Sequence, residues 1–201
     1  MKIGMCGAQA TGKTTHAEML RGYTLVPSPA RHVVKEGFPV NRAGTLSSQI
    51  VIAGKMELDM KRNEKVIDLV YERTHVDCYA YTTNAAVEPV KNEMLAVIKE
   101  LARKQIKDYF DLVFYFPAYD INNFVAPDDG VRDCDEDYRQ YIDGVIKDLL
   151  SDINADYITV PCGSIKSVHE FIEEHIRDKE LSIQLESLKI MKKSLLKNIY
   201  G

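Results

Sequence analysis

The sequence predicts an α/β fold, a doubly wound parallel sheet of five strands, on three observations. First, Lys2-Ile3-Gly4-Met5-Cys6 is a short apolar run that leads straight into Gly7-Ala8-Gln9-Ala10-Thr11-Gly12-Lys13-Thr14. That octapeptide fits the phosphate-loop pattern G-x-x-x-x-G-K-[ST] at every fixed position, and the motif requires a strand before it and a helix after it. Second, strand and helix signals alternate through the first 176 residues, the pattern of a parallel sheet with helices on both faces. Third, Leu112-Val113-Phe114-Tyr115-Phe116, closed by Pro117, is rich in the β-branched and aromatic residues of a buried strand.

Each element has its own warrant. A helix from Thr14 to Arg21 follows the loop and can end at Gly22. Thr24-Leu25-Val26 reads as the second strand, stopped by Pro27 and Pro29, and Arg31–Glu36 as a brief helix ending at Gly37. Leu46, Ile50, Ala53, Met56 and Met60 recur at helical spacing and predict one apolar helix face. Lys65–Tyr71 reads as the third strand. A helix from about Pro89 to Tyr109 places Val90, Met94, Val97, Ile98 and Leu101 on its apolar side, with Pro89 in its first turn. The polar stretch Ala118–Asp133, with Pro127 and Asp129-Gly130, is a long connection to a helix over about Asp135–Leu150. Tyr157–Val160 is the fifth strand, and Ser164 or Ser167 opens the last helix. Residues 178–201 carry Leu181, Leu185, Leu188, Leu195 and Ile199 at helical spacing among lysines, an apolar stripe that either packs back on its own domain or forms a dimer contact.

Composition excludes several classes. With 201 residues, 45% hydrophobic and 28% charged, the chain supports one α/β core and is not of disordered type. A net charge of −4 disfavours broad coating of nucleic acid, which needs a basic face. No apolar run approaches a membrane span, and no charged-then-apolar leader precedes Lys2, so the expectation is a soluble, cytoplasmic protein. Cys6, Cys78, Cys134 and Cys162 form no C-x-x-C pair and are read as reduced thiols. His169 and His175 lie six residues apart, a rotation of about 240°, so they do not share a helix face as a zinc pair must. Asp133, Asp135, Glu136 and Asp137 lack the glycine and terminal glutamate of a calcium loop and suit the charged start of a helix.

The loop carries the chemistry. Gly7 and Gly12 allow the backbone angles that turn successive amides, from Ala8, Gln9, Ala10 and Thr11 through Thr15, toward a polyphosphate. Lys13 supplies a charge at the β- and γ-phosphates, and Thr14 a hydroxyl for Mg²⁺. Glu72-Arg73-Thr74 follows the third strand, and in an open α/β sheet ligands bind beyond the carboxyl ends of the strands. A carboxylate there can accept the proton of an attacking hydroxyl or hold Mg²⁺ through water, and a guanidinium can grip a phosphate or sugar oxygen. A surface ion pair at a strand end is the plain alternative.

These pieces give the chain a resemblance to the P-loop nucleoside and nucleotide kinases, in particular the kinase domain of bifunctional nicotinamide-nucleotide enzymes of the ribosylnicotinamide kinase type and related small bacteriophage ATPase/kinases. The resemblance covers about residues 1–176 and rests on the loop, Pro27-Ser28-Pro29-Ala30-Arg31, Glu72 through Asp77, and Asp129-Gly130-Val131-Arg132 through Tyr138-Arg139. It implies a kinase domain over 1–176 with sheet order 2-3-1-4-5, a mobile lid over 118–139 and a helical extension over 177–201. It also implies catalytic roles for Lys13, Glu72, Arg73, Arg132 and Arg139, substrate contacts from Arg31, Gln49 and Asp77, and metal contacts from Thr14 and Glu72. Asp77 is expected to face the acceptor or metal, and Gly163-Ser164 to approach the adenine. Arg31 and Gln49 have plain surface positions as their alternative. The chain departs from the commoner family pattern at Ser28, where relatives often carry an acid, and at Glu72, where they carry Asp.

The resulting expectation is an ATP- and Mg²⁺-dependent phosphotransferase acting on a nucleoside or nucleoside monophosphate. Two rivals stand beside it. One is a nucleotide-dependent ATPase or switch working through a protein partner at residues 178–201, marked by turnover indifferent to small acceptors. The other is a kinase of nucleic-acid ends, marked by salt-sensitive oligonucleotide binding.

Overall fold

The computed structural model describes residues 1–85, 91–119 and 135–200. They divide into two compact units, Met1–Cys162 and Gly163–Gly201. The first unit holds five parallel strands, β1 (Lys2–Cys6), β2 (Thr24–Val26), β3 (Leu69–Tyr71), β4 (Leu112–Tyr115) and β5 (Ile158–Thr159), in the order β2-β3-β1-β4-β5. Ile3 pairs with Val70 on one side and Leu112 on the other, so β1 lies at the centre, where the strand order reverses. Ile3, Met5, Cys6, Val70, Val113 and Phe114 are all buried, as expected for a sheet covered on both faces.

Among its described residues are six α-helices: α1 (Lys13–Met19), α2 (Ala30–Lys35), α3 (Leu46–Arg62), α4 (His75–Asn84), α5 (Lys91–Lys104) and α6 (Glu136–Asp152). Thr45 caps α3 reciprocally with Ser48, and the Asp135 carboxylate caps α6 by accepting the Tyr138 amide at 2.8 Å. Asp135 also pairs with Arg42 at 2.9 Å.

Several elements depart from the sequence reading. The third strand starts at Leu69, not Lys65, because Asp68 adopts a left-handed backbone (φ 58°). From there its carboxylate accepts the N-terminal ammonium at 2.8 Å, and Val66 and Ile67 are exposed. On α3 the buried residues are Ser48, Gln49, Ile52, Ala53 and Met56, while Ile50 points to solvent. On α5, Ile98 and Ala102 are buried and Val97 is exposed. The α-helix gives way at Gln105 to a π-turn ending at Tyr109, where the Gln105 side chain accepts the His75 amide at 2.8 Å. Pro89 and Val90 lie outside the described residues. The helix α4 was absent from the sequence reading altogether.

The second unit is one helix, α7 (Ile165–Tyr200), opened by Ser164, whose Oγ accepts the Ser167 amide at 3.1 Å. No helix of the described residues is long and apolar enough to cross a membrane.

Candidate active site

Three strands deliver the site. β1 ends at Cys6 and releases the loop 7–12, β2 ends at Val26 just ahead of Ser28, and β3 ends at Tyr71 just ahead of Glu72. Gly7 has φ 149°, and a Cβ there would sit 2.3 Å from the Phe116 carbonyl oxygen, so only glycine fits beside β4. Gly12 (φ 92°) turns the chain into α1, and Ala10 (φ 57°) is also left-handed.

Lys13 is buried and folds over the loop. Its Nζ donates to the carbonyls of Gly7 and Ala8, each at 2.6 Å, and to Thr11 Oγ1 at 3.2 Å. Burial lowers its pKa to about 8, against the opposing pull of the Asp77 carboxylate. Thr14 Oγ1 donates to Glu72 Oε1 at 2.5 Å, and the Ser28 amide donates to Glu72 Oε2 at 3.0 Å. Burial pushes the Glu72 carboxyl up, but these two hydrogen bonds and the charges of Arg73 and Lys13 outweigh it and hold the group below its ordinary value. Glu72 is therefore an ionised carboxylate touching the very hydroxyl that the motif assigns to the metal.

Arg73 lies over the Tyr81 ring at 4.8 Å from its centroid, and Tyr81 in turn donates to Gln9 Oε1 at 2.7 Å. Burial opposes the Arg73 charge, while Tyr81 and Asp77 favour it, and the net shift is upward. Glu72 and Arg73 share one cavity of about 280 Å³ with Gln9 through Thr15, and with Ser28, Arg31 and Gln49. Its lining also includes the apolar side chains of Val40, Ile52, Met56 and Cys78. Gln49 is 1% exposed and its Nε2 has no hydrogen-bond partner among the described residues.

Two expected site residues sit elsewhere. Asp77 does not line the cavity. It is fully buried, and its carboxylate accepts the Gly7 amide at 3.1 Å, the Thr74 amide at 2.9 Å and the Thr74 hydroxyl at 3.1 Å. It braces the loop from beneath rather than facing an acceptor or metal. Arg139 also lies off the cavity wall: it pairs with Glu136 at 2.8 Å and donates to the Tyr119 carbonyl at 2.9 Å. Arg132 and most of the 118–139 segment lie outside the described residues. Gly163 and Ser164 belong to the second unit.

Sequence reasoning missed Tyr81, the Ser28 amide, Cys78 and the bracing role of Asp77. One signal was present: Thr74-His75-Val76-Asp77 has the spacing of a capping box, which announces α4 and points the Asp77 side chain back at Thr74.

The model of an AAA domain family matches residues 2–167. The chain belongs to that AAA domain family. A comparison with curated proteins returns no match. Among solved structures, the deoxyadenosine kinase of M. mycoides with bound dATP superposes with a TM-score of 0.65 at 15% identity, over 88% of this chain and 99% of that one. The thymidylate kinase of Candida albicans gives 0.64 at 14% identity, over 89% and 92%. The NadR protein in complex with NR gives 0.68 at 14% identity, over 86% of this chain and 49% of that one. The fold of this AAA domain is that of the P-loop nucleoside and nucleotide kinases, with the sheet order 2-3-1-4-5 anticipated for it.

Proposed function

We propose that the protein is an ATP- and Mg²⁺-dependent phosphotransferase whose acceptor is a nucleoside or nucleoside monophosphate. The observation that carries this reading is the 2.5 Å contact between Thr14 Oγ1 and Glu72 Oε1, which places a strand-end carboxylate against the phosphate loop in a cavity that also holds Arg73. A hydroxyl and a carboxylate side by side are hard oxygen donors, and Mg²⁺ is commonly held by one or two carboxylates together with substrate phosphates. Thr14 and Glu72 fit that demand. Held by Thr14 and Glu72, the ion would offset charge on the substrate phosphates.

The chain's own residues do the rest. The loop amides and Lys13 hold the triphosphate once Lys13 exchanges the Gly7 and Ala8 carbonyls for phosphate oxygens. Glu72, ionised and fixed by the Ser28 amide, orients the acceptor hydroxyl or takes its proton. Arg73, whose guanidinium lies over the Tyr81 ring, presents a planar fork to a phosphate or sugar oxygen. Phosphoryl transfer asks little covalent chemistry of a protein beyond such alignment and charge compensation. The Gln49 Nε2, buried and without a hydrogen-bond partner among the described residues, supports a heterocyclic base as the part of the acceptor that enters the cavity, since an orphaned buried donor is unfavourable until a ligand accepts from it. The arginines of the 118–139 segment complete this reading, with Arg132 as the cation for the transferred group. Arg139 serves only if it leaves Glu136.

The test is ADP release across nucleosides, deoxynucleoside monophosphates and nicotinamide riboside, followed by kinetics of two variants on the best acceptor. Glu72→Gln is expected to lower kcat by roughly 10²–10⁴-fold with metal-free ATP affinity little changed. Arg73→Lys is expected to raise the acceptor KM, because lysine loses the fork. Turnover that ignores every small acceptor would favour the ATPase or switch reading, and near-native transfer by Glu72→Gln would reduce Glu72 to a structural ion.

A further inference from the structure

The helix α7 carries two opposed faces. At about 100° per residue, Val168, Ile172 and Ile176 fall on one side, and all three are buried. Leu181, Leu185, Leu188 and Leu195 fall within an arc of about 80° centred on the opposite side. They are exposed by 56%, 57%, 61% and 60%. Leu181, Leu188 and Leu195 are seven residues apart and Leu185 falls between them, which is the d and a spacing of a coiled-coil seam. The next a position is Lys192.

We infer that this leucine face pairs with the same face of a second copy of the chain, as an antiparallel two-helix coiled coil. Two features choose the occupant and its direction. Charge along the helix is polarised: residues 178–187 hold Asp178, Glu180 and Glu186 against Lys179 alone, whereas residues 188–197 hold Lys189, Lys192, Lys193 and Lys197 and no acid. A parallel pair lays four lysines against four; an antiparallel pair sets the acidic half of each helix against the basic half of its partner. Lys192 adds to this. In a parallel pair it meets its own copy in the seam, where two like charges face each other at a cost in stability, but in the antiparallel register that sets Leu185 opposite Leu195 it meets Leu188 and its stem can lie on that leucine with the ammonium in water. A polar residue at one a position is a known device for fixing register. The pairing is independent of the phosphotransfer reading.

Sedimentation velocity on the full chain at micromolar concentration is expected to show a dimer; a monomer throughout overturns the inference. The double variant Leu185→Asp/Leu188→Asp is expected to be monomeric, with unchanged helix content and nucleotide affinity, since these side chains are exposed in the single chain. A dimer that survives it overturns the interface. Orientation is read by disulfide formation in a Cys134→Ser/Cys162→Ser background. Leu185→Cys chains mixed with Leu195→Cys chains are expected to cross-link to each other, whereas self-cross-linking of Leu181→Cys chains would establish a parallel pair and overturn the register. Monomeric protein that co-sediments with anionic vesicles would assign the face to a lipid surface instead.

Discussion

Lys13 is held by its own loop, and that has a pH signature. Its pKa of about 8 means that above this pH a growing share of the ligand-free protein carries a neutral amine. A bound triphosphate favours the charged amine, so binding takes up a proton and affinity falls as pH rises above about 8, at most about tenfold per pH unit. Calorimetry in buffers of different ionisation enthalpy at pH 8.5 is expected to register this uptake, and Lys13→Ala to abolish it. The brace beneath the loop modulates the same quantity. Asp77 accepts from Gly7 and Thr74 and raises the Lys13 pKa, so Asp77→Asn is expected to destabilise the fold by about 1–3 kcal/mol and to move the fall in affinity to lower pH. Lost stability with an unmoved pH profile would leave Asp77 as a helix cap and nothing more.

At the scale of elements, the strands next to the loop were legible because their side chains obey simple rules: buried parallel strands are continuous apolar runs, and the loop motif fixes what comes before and after it. Errors arose where tertiary contacts override periodicity. Gln49 and Ser48 take buried places on α3 that Ile50 was expected to fill: Ser48 exchanges hydrogen bonds with Thr45 in the helix cap, and the Gln49 side-chain oxygen accepts from the Cys78 thiol of α4 at 3.8 Å. The meeting of Glu72 with Thr14 was likewise legible in outline, as a strand-end carboxylate projecting into the crevice of the neighbouring phosphate loop, but the Ser28 amide that fixes Glu72 is a backbone group and leaves no mark in the sequence. Asp77 was misplaced because a carboxylate near a phosphate loop reads as functional until α4 is recognised. The cap of α4 can be tested directly: Thr74→Ala is expected to cost about 0.5–2 kcal/mol, measured by denaturant unfolding. Because Arg73 precedes the cap, the acceptor KM is expected to rise as well, with ATP affinity held by the loop.

On the scale of the whole molecule, the cavity is lined by segments that follow β1, β2 and β3, so its occupation stabilises the unit that contains the sheet. ATP with Mg²⁺ at a hundred times its Kd is expected to add about 2.7 kcal/mol to unfolding, which for a chain of this size is a rise of roughly 5–10 °C in Tm by differential scanning fluorimetry. No shift would contradict a nucleotide site at the loop. The cavity wall also bears on covalent labelling. Cys78 is buried with its thiol pushed up to about 12 by desolvation, so almost no thiolate is present at neutral pH, while Cys162 is exposed. A maleimide dye therefore goes to Cys162 before Cys78. The same burial slows the reaction of the Cys78 thiol with peroxide.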